Sequence, residues 1–191
     1  MKFDCLDIDS IVGFLWDEGN IHKNEDKHGL KWTAIEEVFF NEPLLIVEDF
    51  KHSLNECRCV ALGKNDFDDL VTVVFTIRNK QIRVISARAM SKKERMIYTL
   101  KEYPVKELKK LPSFKTEAEE STFWDENDVT EYFDMSKVKP TRFSNLKKTT
   151  KSISLRLPVD MIEELKVKAN AMDVPYQSLI KMFLTNALKT A

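Results

Sequence analysis

The stretch LVTVVFTIRNKQIRVISAR, residues 70–88, decides the fold of the first half of this chain. Residues 70–78 and 81–88 are rich in valine, isoleucine and threonine, which favour β-strands. The dipeptide Asn79-Lys80 between them has the length of a tight two-residue turn. The pattern therefore predicts an antiparallel hairpin, and the neighbouring elements are predicted outward from it.

Two more strands are predicted before the hairpin, at Leu44–Glu48 and Cys57–Leu62, and a polar helix over Asn20–His28 is predicted to end at Gly29. Other helix starts are predicted where serine or threonine is followed three residues later by glutamate, the capping-box pattern. These pairs are Thr33 with Glu36, Ser91 with Glu94 and Thr116 with Glu119. We therefore expect residues 1–100 to form an α+β domain built on an antiparallel sheet.

The arginines of the last strand, Arg83 and Arg88, are five positions apart, so a regular strand places them on opposite faces. Either a β-bulge or an early end of the strand near Ala87 would bring them together. Solvated charges on the sheet surface are the simpler interpretation of these arginines.

The 191 residues are 43% hydrophobic and 32% charged, with 4 Gly and 6 Pro, which excludes collagen-like and low-complexity chains. The longest apolar runs are far below the roughly 20 residues that span a bilayer, and no signal peptide is recognisable. We expect a cytoplasmic protein without a membrane partner. Cys57 and Cys59 lie on one face of a predicted strand and are interpreted as buried thiols. This C-x-C pair has no neighbouring Cys or His cluster in sequence, so no metal site and no cofactor are predicted.

The net charge of −1 conceals an uneven distribution. Residues 141–191 carry 9 basic and 4 acidic side chains, which suggests a polyanionic partner. Residues 113–135 carry eight acidic side chains against Lys115 alone, together with several aromatic ones. Because a purely solvated linker has no use for aromatic side chains, we expect this acidic segment to dock on a surface. The predicted domains are 1–100, 101–148 and 149–191.

The last 43 residues have the clearest pattern. Residues 152–157, SISLRL, alternate polar and apolar side chains as a strand does, and Pro158 then begins a helix. A second helix follows Val174-Pro175. A single strand with two helices in about 40 residues buries too little surface to fold alone, so pairing with the strand of a second chain is expected.

This strand, the proline and the turn DVPYQS at 173–178 resemble the ribbon–helix–helix family of DNA-binding proteins, the CopG type. The resemblance implies a homodimer whose two strands form a ribbon in the major groove of operator DNA and repress transcription. A plain helical dimerisation module is the simpler reading. The residues expected at the DNA are Lys151, Ser152, Ser154, Arg156, Tyr176, Gln177 and Ser178.

The runs FLWDEGN (14–20), NEDKHGL (24–30), EEVF (36–39) and IRVISAR (82–88) resemble the BrnT family of toxins in type II toxin–antitoxin systems. The resemblance implies a RelE-like fold and a metal-independent endoribonuclease acting on RNA. Arginine would stabilise charge on the transferring phosphate, and His or Lys would move protons. The candidate catalytic residues are Lys27, His28, Glu56, Arg58, Arg83 and Arg88.

Residues from about 105 to 188 resemble the complete CopG-type (BrnA-like) antitoxin that accompanies such a toxin. Family antitoxins are separate chains, whereas here the two are continuous. The fusion implies that the acidic segment neutralises the toxin, either in the same chain or in a neighbouring subunit. The residues expected to do so are Glu117, Glu119, Glu120, Phe123, Trp124, Asp125 and Glu126.

Two other functions remain open at this point. The first domain could be catalytically inactive, leaving a DNA-binding repressor that keeps the toxin fold only as a structural partner. The chain could also be a gene remnant that folds and does neither.

Overall fold

The computed structural model describes residues 3–49, 56–100 and 108–190, which divide into two compact units, Met1–Thr149 and Thr150–Ala191. The predicted boundary between residues 100 and 101 adjoins a segment, 101–107, that lies outside the described residues. Most of the predicted middle segment therefore belongs to the first unit. None of the helices in the described ranges has the length and apolar character needed to cross a membrane.

A six-stranded sheet forms the centre of the first unit, in the order β1-β5-β4-β3-β2-β6. All neighbouring strands are antiparallel except β1 and β5, which are parallel. The strands are β1 (Gly13–Phe14), β2 (Leu45–Asp49), β3 (Arg58–Lys64), β4 (Leu70–Arg78), β5 (Gln81–Ala89) and β6 (Lys139–Pro140).

Helices cover both faces of this sheet, so each face has its own apolar core. The first core receives Ile35 and Val38 from α2, and the second receives Ile97 from α3 and Trp124 from α4. The helices of the unit are α1 (Lys23–His28), α2 (Trp32–Val38), α3 (Lys92–Leu100) and α4 (Glu117–Glu126). The predicted α+β fold is confirmed.

The predicted hairpin is present, and both turn residues have positive φ, 52° at Asn79 and 61° at Lys80, as the two-residue hairpin turn requires. The β4–β5 register shifts by one residue: Val74 is opposite Ser86, whereas Phe75 is opposite Val84. Of the two alternatives for bringing Arg83 and Arg88 together, the structure therefore has the β-bulge and not an early end of the strand, since β5 continues to Ala89. The bulge inverts the alternation, so that the side chains before and after it share one face.

The caps at Ser91 and Thr116 are confirmed, since the hydroxyl of each accepts a hydrogen bond from the backbone N–H three residues later. Glu94 completes its box by accepting from the Ser91 N–H, whereas Glu119 accepts from the N–H of Lys115. Gly29 ends α1 in the left-handed conformation, as predicted. The predicted cap at Thr33 is wrong, because α2 begins at Trp32 and its N-cap residue is Lys31, two residues before Thr33. The Glu36 carboxylate instead accepts hydrogen bonds from the Trp16 indole and from the backbone of residue 149.

Residues 139–149 complete the first unit, although they lie 50 residues beyond the end of β5 in sequence. β6 pairs with the edge strand β2. Phe143 and Leu146 are buried in the first core, where the Phe143 ring lies 5.9 Å from that of Phe39. The described residues of the antitoxin-like part up to Thr149 therefore belong to the same folded unit as the sheet.

The prediction of two free thiols is right for Cys59, which is buried and free, and wrong for Cys57. The Cys57 sulfur is bonded to that of Cys5. Burial of Phe3 and Leu6 in the core brings the N-terminal segment, and Cys5 with it, against β3. A contact across 52 residues of sequence leaves no signal in local patterning.

The second unit consists of α5 (Val159–Ala171) and α6 (Tyr176–Thr190), which pack together through Ala169 and Leu179. Residues 152–157, predicted as a strand, have no regular secondary structure in this single chain. A strand exists only with a hydrogen-bonded neighbour, and within one chain these residues have none to pair with.

Candidate functional site

Basic side chains from α1 and from strands β3 and β5 converge on the face of the sheet that α4 covers. Arg58 begins β3, Arg83 and Arg88 lie on β5 on either side of the bulge, and Lys27 and His28 end α1. Helix α1 is held against β5 by the Asn24 side chain, which accepts a hydrogen bond of 2.9 Å from the Ala87 N–H. Such a concentration of guanidinium, ammonium and imidazole groups suits a polyanion such as an RNA backbone.

The N-terminal half of α4 supplies two carboxylates to the arginines. Glu120 makes a two-point ion pair with Arg58, with distances of 2.7 Å from Nε and 2.9 Å from the second nitrogen. Glu117 lies 2.9 Å from Arg83 Nε and 3.1 Å from Arg78. Paired contacts of this geometry are how arginine binds phosphate, so the two carboxylates take positions that phosphate oxygens could occupy.

The C-terminal half of α4 places Asp125 among the groups proposed to move protons. Its carboxylate lies 2.8 Å from Lys27 Nζ and accepts a hydrogen bond of 2.7 Å from the Ser86 hydroxyl. His28 Nε2 is 3.2 Å from the same carboxylate, although outside hydrogen-bond geometry. One acidic side chain thus lies beside both the ammonium of Lys27 and the imidazole of His28.

Arg88 is bound by backbone oxygens of α4 as well as by its own domain. Its guanidinium donates to the carbonyls of Trp124, at 3.0 Å, and Asn127, at 2.8 Å. The buried Glu94 carboxylate accepts from both terminal nitrogens, at 2.8 and 2.9 Å. A cation at the C-terminal end of a helix is stabilised by the unpaired carbonyls there, so Arg88 both orders the site and binds α4.

Glu119 and Glu126 are not brought to the site. At about 100° per residue they lie on the side of α4 opposite Glu117. Both are exposed, and within the described ranges neither carboxylate contacts a basic side chain of the site. Trp124, on the inner side, is fully buried, and the Phe123 ring packs at an angle against the rings of Phe114 and Tyr132.

Three groups of the site were missing from the predicted set. Arg78 forms ion pairs with Glu56, at 2.6 Å, and with Glu117. Asp17 lies 2.7 Å from Arg83. The Ser86 hydroxyl donates a hydrogen bond to Asp125. Strand alternation could have pointed to Arg78, which lies four residues beyond the inward-facing Val74. Ser86 lies two residues before Arg88, so alternation places it on the same face as Arg88, and the bulge adds Arg83 to that face.

Ion pairing lowers the pKa of several carboxyl groups in the site. The pKa of Glu56 is lowered mainly by its hydrogen bond from Arg78, and that of Asp17 by its hydrogen bond from Arg83. At Asp125 burial raises the pKa, but the hydrogen bonds from Lys27 and Ser86, together with the nearby His28 imidazole, outweigh it and leave the pKa lowered. These carboxylates are therefore charged at neutral pH, which the contacts with cations require.

A lowered pKa at Asp125 makes the docking of α4 sensitive to acid. The stabilisation is complete above the unfolded-state pKa, about 3.9, and is lost as the pH falls through the lower folded-state value. We expect urea unfolding between pH 7 and pH 3 to show a smaller acid-induced loss of stability in Asp125→Asn than in the unmodified chain. Glu126→Gln, a change on the exposed side of α4, is the control. If stability fell with pH equally in Asp125→Asn and in the unmodified chain, Asp125 would not be the group that makes α4 docking sensitive to acid.

In the second unit the residues expected at DNA are accessible. Lys151, Ser152, Ser154 and Arg156 are exposed, and Tyr176, Gln177 and Ser178 form the first turn of α6. The apolar side of the same stretch is also exposed, with Ile153 at 77% and Leu155 at 61%.

Comparison with known proteins identifies two families. Residues 16–94 match the family described as "Ribonuclease toxin, BrnT, of type II toxin-antitoxin system", and residues 109–187 match "CopG antitoxin of type II toxin-antitoxin system". A solved structure, the ribonuclease toxin BrnT of Brucella abortus, is 24% identical over 42% of this chain and 99% of that chain, with a TM-score of 0.34. No curated protein matches the chain.

Proposed function

Because the chain contains a BrnT ribonuclease toxin domain (residues 16–94) fused to a CopG antitoxin domain (residues 109–187), we propose that it is an RNA-cleaving toxin kept inactive by its own antitoxin segment. The observation that carries the proposal is the position of α4. Within one chain, its carboxylates and C-terminal carbonyls accept hydrogen bonds from the side chains of Lys27, Arg58, Arg83 and Arg88. Occupied donors cannot bind an RNA backbone.

The site groups suit cleavage of RNA by its own 2′-hydroxyl. That oxygen attacks the adjacent phosphorus and loses its proton to a base, while the 5′-oxygen leaves with a proton from an acid. Lys27, His28 and Glu56 are the candidates for these two proton transfers. Arg83 and Arg88 would stabilise the charge that develops on the phosphate oxygens. No step in this scheme requires a metal ion.

Fusion makes the neutralisation stronger than an equal set of contacts between separate chains. A tethered segment acts at an effective concentration of about the millimolar range, so α4 competes with RNA even when its intrinsic affinity is modest. We therefore expect the intact chain to be almost silent as a ribonuclease in the cytoplasm.

The test of this proposal uses the full chain, because residues 1–100 alone would lack the core side chains Trp124, Phe143 and Leu146. Weakening the attachment of α4 by substitution should start RNA cleavage, and removing His28 from the released chain should stop it. If the chain is instead a repressor with an inactive toxin fold, neither the released chain nor its His28 variant should cleave RNA.

For the second unit we propose a two-fold symmetric DNA-binding dimer. The exposed apolar side of residues 152–157 and the exposed apolar residues of α5 and α6, among them Val167 and Leu184, support a second copy as the covering partner. Pairing of two strands would turn Ser152, Ser154 and Arg156 toward base edges. The start of α6 would direct backbone N–H groups at a phosphate.

Replacing Arg156 with alanine should weaken binding to DNA from upstream of the gene by about 10- to 100-fold, the loss expected for one bidentate contact with a base. Electrophoretic mobility shifts with this DNA and with random-sequence DNA measure the effect. Lys137→Ala, which removes one positive charge from the first unit, is the control. Unchanged specific binding in Arg156→Ala would refute the ribbon assignment.

A further inference from the structure

Three sulfur atoms and one carboxylate meet at the start of β3, outside the site described above. The ligand atoms of Cys5, Glu48 and Cys57 all lie within 4.8 Å of one another. The sulfur of Cys59, the next residue on the same face of the strand, is 3.8 Å from that of Cys57. In the sequence the C-x-C pair has no neighbouring metal-binding side chain, whereas in the folded chain Cys5 and Glu48 lie beside it.

Two distances in this cluster suit a tetrahedral metal site, whereas the Cys5 and Cys57 sulfurs, which are bonded to each other here, would have to separate. Zinc–thiolate bonds of about 2.3 Å place two sulfurs of a tetrahedron about 3.8 Å apart, which matches the Cys57–Cys59 separation. The Glu48 carboxylate lies 3.2 Å from the Cys5 sulfur, close to the spacing of a sulfur and an oxygen on one zinc ion. Thiolates with one carboxylate are ligands that zinc accepts.

The surroundings hold the carboxylate in place. Glu48 accepts hydrogen bonds from the backbone N–H groups of Asp4 and Cys5, the latter at 3.0 Å. Hydrogen bonds of this kind orient a metal-binding carboxylate. Cys59 and the neighbouring Phe3 and Leu6 are buried, so one side of the cluster is closed to water.

We propose that in the reduced chain Cys5, Cys57, Cys59 and Glu48 form a binding site for a thiophilic divalent cation such as Zn²⁺. The Cys5–Cys57 disulfide of the present structure is the oxidised alternative. Two equivalents of a thiol reductant open it, giving two protein thiols and the disulfide of the reductant. Metal binding then releases the thiol protons to solvent. This inference does not depend on the ribonuclease assignment.

The bound cation would have a structural role. It would join the N-terminal segment to β2 and β3 immediately before Arg58, which pairs with α4. Because metal that binds only the folded chain stabilises it, the reduced protein should unfold at a higher temperature with the metal than without it.

The test uses the full chain, reduced with a phosphine and titrated anaerobically with Co²⁺. We expect one equivalent to bind with the intense visible bands of tetrahedral cobalt and a thiolate-to-cobalt charge-transfer band, and Zn²⁺ to displace it. Cys5→Ser and Glu48→Gln should each weaken binding at least about tenfold. Asp7→Asn, an acidic residue of the same segment, is the matched control.

Circular dichroism of each variant shows whether it is folded. The Cys5 side chain is not part of an apolar core, so its replacement by serine should leave no cavity. A weak octahedral cobalt spectrum without charge transfer would overturn the proposal. Equal affinity in Cys5→Ser or in Glu48→Gln would overturn it too, as would a Cys5–Cys57 disulfide that persists in glutathione at cytosolic concentration.

Discussion

Cells producing the triple variant Glu117→Gln, Glu120→Gln, Asp125→Asn are expected to stop growing, whereas cells producing the unmodified chain grow normally. The three substitutions keep the shape of α4 and remove its negative charge toward the site. Arg58, Arg83 and Lys27 would then attract RNA phosphates in place of α4.

The size of this effect follows from the most buried of the three contacts. Glu120 and Arg58 form a largely buried two-point pair, and removing one partner of such a pair costs about 3–5 kcal/mol. Because Arg58 keeps its contact with Glu56, the lower end of this range applies. The contacts of Lys27 and of Arg78 are more exposed and contribute less. A loss of 3 kcal/mol from docking alone raises the population with α4 released by more than about 100-fold.

Two comparisons make the result specific. The matched double variant Glu119→Gln, Glu126→Gln changes carboxylates on the outer side of α4 and should leave growth normal. Adding His28→Ala to the triple variant should restore growth and abolish cleavage of total RNA by the purified protein. A folded triple variant that neither arrests growth nor cleaves RNA would reject the enzyme and favour the repressor with an inactive toxin fold.

Trp124→Ala should produce the largest loss of stability among single substitutions in α4. The indole is fully buried and packs against Tyr132 and Phe133 in the second core. Truncation of such a side chain costs about 3–5 kcal/mol, and for a chain of this size the melting temperature should fall by about 10 °C. Scanning calorimetry of the full chain measures the shift.

Phe67→Ala is the matched control, since this aromatic ring is 81% exposed and its loss should change the melting temperature by less than about 2 °C. The Trp124 variant should also show partial toxicity, because α4 loses its main apolar contact. A melting temperature equal to that of Phe67→Ala would mean that α4 is not packed as described.

Much of the fold could be predicted because its determinants are local. The hairpin at Asn79-Lys80, the left-handed Gly29 and the caps at Ser91 and Thr116 each depend on residues within one turn or one strand. The family resemblance of both parts is confirmed for the same reason, since it rests on short continuous motifs. Thr33 shows the limit: its capping signal was overridden because Glu36 serves tertiary hydrogen bonds.

The sequence by itself determined the α+β class, the resemblance of its two parts to two families, the acidic character of α4 and the basic character of the residues it faces. Only the tertiary structure decided which groups meet. A one-residue bulge aligned Arg83, Ser86 and Arg88, helical rotation turned Glu119 away, and core packing brought Cys5 to Cys57. Local preferences act over a few residues, whereas the contacts of α4 with the basic side chains join residues that are 34 to 98 positions apart, such as Arg83 with Glu117 and Lys27 with Asp125. Their geometry exists only once the chain has folded.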